Sequence, residues 1–116
     1  MSQASRKLRS IEGGFAFWCA GCDDVHNVST NWSFDGNVER PTFSPSILVR
    51  GLRREVDDRG EWTGKWRRDE RGEPIPYVCH SFITAGRQQF LSDCTHDLAG
   101  TTVELAELPA FLCDGG

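Results

Sequence analysis

The sequence lacks most of the features that make a chain easy to classify. Its longest apolar run, Phe15 to Ala20, is far shorter than the roughly 20 residues that span a bilayer. Arg6, Lys7 and Arg9 make the first ten residues basic, yet no apolar segment of signal-peptide length follows them. Cytoplasmic residence is therefore the expectation. Strands do not alternate with long helical patterns, which argues against a doubly wound fold. No internal repeat, low-complexity tract, serine-centred nucleophile elbow, phosphate loop or paired-glutamate motif is visible. Hydrophobic residues are also sparse, at 38% of 116, so the core is thin.

What is present is aromatic and sulfur-rich. Four Trp and seven Phe supply large apolar surfaces that a disordered chain would lack. Net charge is −4, which weighs against a broad nucleic-acid-binding face. The charge is uneven. Arg50 to Glu73 carries a net of +1 in a mixed-sign stretch, and the remainder carries −5. Five cysteines leave one over from any paired disulfide set, and reduced thiols are the default in a chain without a secretory leader.

Residues 1–10 read as a mobile basic tail ahead of a single β domain over 11–116. Phe15-Ala16-Phe17-Trp18 reads as a strand feeding the Cys19-Ala20-Gly21-Cys22 turn. Trp32 to Val38 alternates large and small residues around Asp35-Gly36, a hairpin signal. Pro41 and Pro45 exclude helix there, and a short strand is expected over Ser46 to Val49. Residues 50–76, broken by Gly and Pro, read as a long loop or protruding hairpin. Trp62 and Trp66 in it are the aromatics placed for recognition.

The best-defined hairpin runs from Tyr77 to Cys94 around Ala85-Gly86. A two-residue turn there opposes Thr84 to Arg87 and Phe82 to Gln89. Period-two alternation then puts Cys79, Phe90, Ser92 and Cys94 on one face and His80, Leu91 and Asp93 on the other. Thr101 to Leu105 is expected as a last strand.

Metal-capable residues punctuate the chain at Cys19, Cys22 and His26, at Cys79-His80, and at Asp93-Cys94-Thr95-His96. Zinc takes four N or S ligands in a tetrahedron, so Cys19, Cys22, Cys79 and Cys94 form the first ligand set. His80 and His96 are alternates if the register slips. A thin core gains from such a clip. The competing reading of Cys-x-x-Cys, a redox pair, needs a strand–helix setting that is missing. His80, Asp93 and His96 could instead support hydrolysis, with an acid orienting a general base. Thr42-Phe43-Ser44-Pro45-Ser46 offers hydroxyls, but the neighbouring sequence holds no base to activate them. Cys113 reads as a spare thiol.

Phe17-Trp18-Cys19-Ala20-Gly21-Cys22, Arg40-Pro41-Thr42-Phe43-Ser44-Pro45-Ser46, Cys79-His80-Ser81-Phe82 and Asp93-Cys94-Thr95-His96-Asp97-Leu98-Ala99-Gly100 resemble a family of small proteins of tailed bacteriophages and prophages. Some of its members carry enzyme names, such as ammonia monooxygenase or anaerobic dehydrogenase, that chains of this content do not support. The resemblance implies a shared metal centre without saying which four residues bind. It also implies residence in the bacterial host cytoplasm. Three functions follow as expectations. The first is a phage-encoded zinc-binding accessory protein that binds a host or phage macromolecule, for example to inhibit a host defence system. Its expected partner is a protein, met through Arg50–Arg71 with Trp62 and Trp66. The second is a small zinc-dependent hydrolase using His80, Asp93 and His96. The third is a nucleic-acid-binding zinc module. The fold expected throughout is mainly β, either zinc-ribbon-like or a small β-sandwich of antiparallel hairpins.

Overall fold

Alternating buried and exposed residues at the aromatic N-terminal segment set up the first of three antiparallel sheets. In the computed structural model, which describes residues 3–113, β1 (Leu8–Ile11), β2 (Gly14–Cys19) and β3 (Asp24–Ser29) form a meander. Its inward side chains include Leu8, Phe17, Cys19 and Val28, none more than 1% exposed.

The second sheet takes β4 (Ser33–Phe34), β5 (Phe43–Leu52), β8 (Pro76–Thr84), β9 (Arg87–Phe90) and β10 (Thr102–Glu104). Its spatial order is β10-β9-β8-β5-β4. Phe43, Ile47, Cys79, Ile83 and Phe90 from this sheet join the inward residues of the first in one core cluster. Two sheets sharing one core match the expected small, mainly β domain of antiparallel strands. A third, two-stranded sheet, β6 (Arg54–Val56) and β7 (Trp62–Trp66), carries only exposed residues. It lies within residues 50–76, the stretch read from the sequence as a long loop or a protruding hairpin. The Asp57 carboxylate closes its tip by accepting the N–H groups of Arg59 and Glu61. Among the described residues no α-helix occurs, only a 3-10 turn at Ala110–Leu112.

The central hairpin pairs as its spacing requires, with Thr84 opposite Arg87 and Phe82 opposite Gln89. Ala85 and Gly86 take φ of 51° and 77°, the positive pair that a tight turn between twisted strands needs. At the C-terminal end Thr102–Glu104 is a strand, within the stretch expected.

Two local expectations need correction. Leu8–Ile11 is a strand rather than part of a mobile tail, because Leu8 is fully buried and burying such a side chain is worth about 2 kcal/mol. Ser5 anchors the approach to it: its Oγ accepts from the Lys7 and Leu8 N–H groups and donates to the Val38 carbonyl. The Asp35-Gly36 turn is real, but the returning strand begins at Phe43 rather than Asn37. Asp35 Oδ1 accepts the N–H groups of both Asn37 and Thr42, which stabilises a wider loop than a two-residue hairpin.

Candidate active site and metal centre

The site is built on the β5–β8 pair, whose two faces carry different chemistry. Leu48 lies opposite His80 and Val49 opposite Cys79. Cross-strand partners share a face and neighbours along a strand alternate. Ser46, Leu48, His80 and Phe82 therefore fall on the outer face, and Ile47, Val49, Cys79 and Ser81 on the inner one. Between Phe43 and Ile47 the ladder register shifts, so Ser44 and Pro45 bulge out of the pairing and the chain re-enters it beside Ser46.

On the outer face Ser46 Oγ lies 2.9 Å from His80 Nε2. The other ring nitrogen, Nδ1, lies 3.1 Å from Asp93 Oδ2. Asp93 comes from the turn after β9, and Trp32 Nε1 donates to the Ser46 carbonyl. A serine, an imidazole and a carboxylate in this serial order have the arrangement that a nucleophile, a general base and a group orienting that base require. His80 is 24% exposed and Asp93 56%, so the line opens to solvent. Leu48 and Phe82, 44% and 40% exposed, supply apolar surface beside it.

The inner face holds the sulfur. Ligand atoms of Cys19, Cys22, His26 and Cys79 all lie within 4.8 Å of one another. Cys19 and Cys79 are buried and their sulfurs are 3.8 Å apart. Hydrogen bonds from Cys22 and Cys79 hold the Cys19 thiol far below its ordinary range, and the same contact with Cys19 pushes the Cys79 thiol up. Burial alone would lower His26, but the Cys19 and Cys22 sulfurs outweigh it and raise the imidazole to about 10. His26 Nε2 is also buried without a hydrogen-bond partner. Such an orphan is costly. Three sulfurs and an imidazole that compete for protons and leave a nitrogen unsatisfied form a set that a metal cation would satisfy. These four residues are therefore positioned to hold one.

Comparison with protein-family models matches residues 2–91 to the family described as "Bacterial ubiquitination-like system serine protease (BubE)". The chain belongs to the BubE family. Comparison with curated proteins and with solved structures gives no match.

The BubE match spans every residue of the inner cluster and, on the outer face, Ser46 and His80, ending two residues before Asp93. Of the four cysteines expected as ligands, the structure gathers Cys19, Cys22 and Cys79 with His26. Cys94 converges instead with Cys79 and His96, and its sulfur is hydrogen-bonded to the His80 backbone. Of the alternates, His80 faces away from the sulfurs, while His96 Nε2 lies 3.4 Å from Cys79 Sγ. The set His80, Asp93 and His96 is thus split: the first two meet, and the third packs edge-on against Phe90 on the inner side. Gly21 has a role the spacing did not disclose, since a Cβ there would lie 2.3 Å from the His96 ring.

Trp62 and Trp66 pack as a tilted pair, ring centroids 5.1 Å apart, on the exposed hairpin, with Arg54 over Trp62. Cys113 donates to the Leu108 carbonyl and is no part of either cluster. No helix among the described residues is long and apolar enough to cross a membrane.

Ser46 is the residue that sequence reasoning missed. Its partner His80 is 34 residues away on another strand, so no local motif announces it. The signal lay in register: once β5 is paired with β8, the face that carries His80 and Asp93 also carries Ser46.

Proposed function

We propose that the chain is a serine peptidase acting on polypeptides in a bacterial ubiquitination-like system. The single observation that carries this reading is the Ser46–His80–Asp93 hydrogen-bond line, with Oγ to Nε2 at 2.9 Å and Nδ1 to Oδ2 at 3.1 Å. The family's description names the same chemistry. The reading takes up the macromolecular partner expected from the sequence as a substrate. In a phage-borne member, the target would be a host conjugation system.

The residues divide the work as follows. Ser46 Oγ attacks the scissile carbonyl carbon while His80 Nε2 takes its proton. The protonated ring keeps its Nδ1–H on Asp93, which fixes tautomer and orientation. The same Nε2–H then passes to the leaving amine as the carbon–nitrogen bond breaks, leaving an acyl ester on Ser46. Water, deprotonated by His80, releases the acyl group and restores the serine. Leu48 and Phe82 provide an apolar surface for side chains flanking the cleaved bond.

The metal proposed for Cys19, Cys22, His26 and Cys79 is zinc, since three thiolates and an imidazole suit its tetrahedral preference. When bound it supplies a structural clip between the first sheet and β8. No open position is needed, because the nucleophile is Ser46. The test is incubation of the purified chain with a ubiquitin-like protein extended at its C-terminus, followed by mass spectrometry. Cleavage by the wild type and its loss in Ser46→Ala are expected. Cleavage that survives in Ser46→Ala, or that requires the metal without requiring Ser46, overturns the reading.

A further inference from the structure

The half of β8 that bears His80 lacks a ladder partner on one side. β9 pairs with β8 only from Ser81 to Thr84 and ends at Phe90. The polar backbone groups of Val78 and His80 on that edge must still be satisfied. The turn that carries Asp93 does this with side chains as well as with its backbone. The Leu91 N–H donates to the His80 carbonyl at 2.9 Å. Cys94 Sγ accepts from the His80 N–H and donates to the His80 carbonyl, both at 3.2 Å. One residue further, Thr95 Oγ1 accepts from the Val78 N–H at 3.1 Å and donates to the Val78 carbonyl, which also accepts from the Thr95 N–H.

We infer that Cys94 is a positioning residue, assisted by Thr95: it completes the missing ladder and thereby locks Asp93 onto His80, and it is not a ligand of the metal. This rests on Ser46–His80–Asp93 being the catalytic line. A thiol that donates to a backbone carbonyl and accepts from a backbone N–H ties the turn to β8 at two points. Its neighbour Asp93 then has little freedom, because Cys94 fixes the turn on one side and Leu91 on the other. Cys19, Cys22, His26 and Cys79 make up four ligands without it, whereas Cys94 converges with Cys79 and His96 in a group of only three. A hydroxyl can reproduce both hydrogen bonds and a methyl can reproduce neither, so the two substitutions separate positioning from packing.

The experiment measures the rate of Ser46 modification by a fluorophosphonate, together with metal per chain and melting temperature, for Cys94→Ala, Cys94→Ser and Thr95→Val. In Cys94→Ala the maximal labelling rate is expected to fall about 10- to 100-fold, the scale of a small misplacement of reacting groups, with the half-saturating probe concentration unchanged. Cys94→Ser is expected to recover most of that rate, and Thr95→Val to lose less than Cys94→Ala. All three are expected to keep the wild-type metal content. A double-mutant cycle adds the decisive readout: once Asp93→Asn is present, Cys94→Ala should slow labelling no further. Metal lost from either Cys94 variant, full labelling in Cys94→Ala, or additive effects with Asp93→Asn would each overturn the inference. If the metal-loaded wild type is not labelled at Ser46 at all, the reading of the catalytic line fails first and the inference falls with it.

Discussion

The two faces of the β5–β8 pair solve opposite problems with neighbouring residues. Cys79 and His80 are adjacent in sequence, as are Asp93 and Cys94, yet in each pair the cysteine turns inward and the other residue outward. The inner face is largely buried and crowded with sulfur. Its groups compete for protons, and the His26 nitrogen stays unsatisfied unless a cation joins them. The outer face is half open, and its three polar groups already satisfy one another in a line. The comparison teaches that neighbouring residues on one strand pair can place a metal-capable cluster on its buried face and a polar, accessible line of side chains on the other.

That division can be broken residue by residue. Ser46→Ala should have the largest effect, lowering hydrolysis roughly 10⁴- to 10⁶-fold with metal content and melting temperature unchanged, as turnover and elemental analysis would report. Cys19→Ala attacks the other face. It should release the metal and destabilise the fold by on the order of 5 kcal/mol, and Ser46 reactivity should fall because the sheet that carries it loosens. Denaturant titration with metal quantification checks both. Asp93→Asn should slow Ser46 modification about 10²- to 10³-fold, less than for a buried triad acid, since Asp93 is 56% exposed on its side chain. Its metal content should match the wild type. Trp66→Ala, on the hairpin that belongs to neither face, should cost about 1 kcal/mol or less from the lost ring pair with Trp62 and leave both labelling and metal untouched.

Much of the fold was legible because it is local. Ala85-Gly86 with alternation on both sides determines the β8–β9 register, and with it the separation of Cys79 from His80 and the company His80 keeps with Asp93. Cys19-x-x-Cys22 likewise marks two candidate metal ligands, and the structure brings both together with Cys79 and His26. The remainder depends on long-range pairing. Leu8 looked like part of a polar tail because one apolar residue has no period, yet it fills the core beside Phe17. His26 was set aside once four cysteines seemed to complete a tetrahedron, and only the fold shows that it converges with Cys19, Cys22 and Cys79 while Cys94 meets Cys79 and His96. Ser46 was hidden for the same reason. A hydroxyl between prolines and apolar residues has no chemical meaning until the strand that carries it is paired with the one that carries its base.

The central claim, that Ser46 is an activated nucleophile, is tested most directly by peptide mapping after fluorophosphonate treatment of the metal-loaded wild type and of His80→Ala. The account predicts a single adduct, on Ser46, in the wild type and none at the same exposure in His80→Ala. An unmodified wild type, or a Ser46 adduct that forms equally fast without His80, would contradict it.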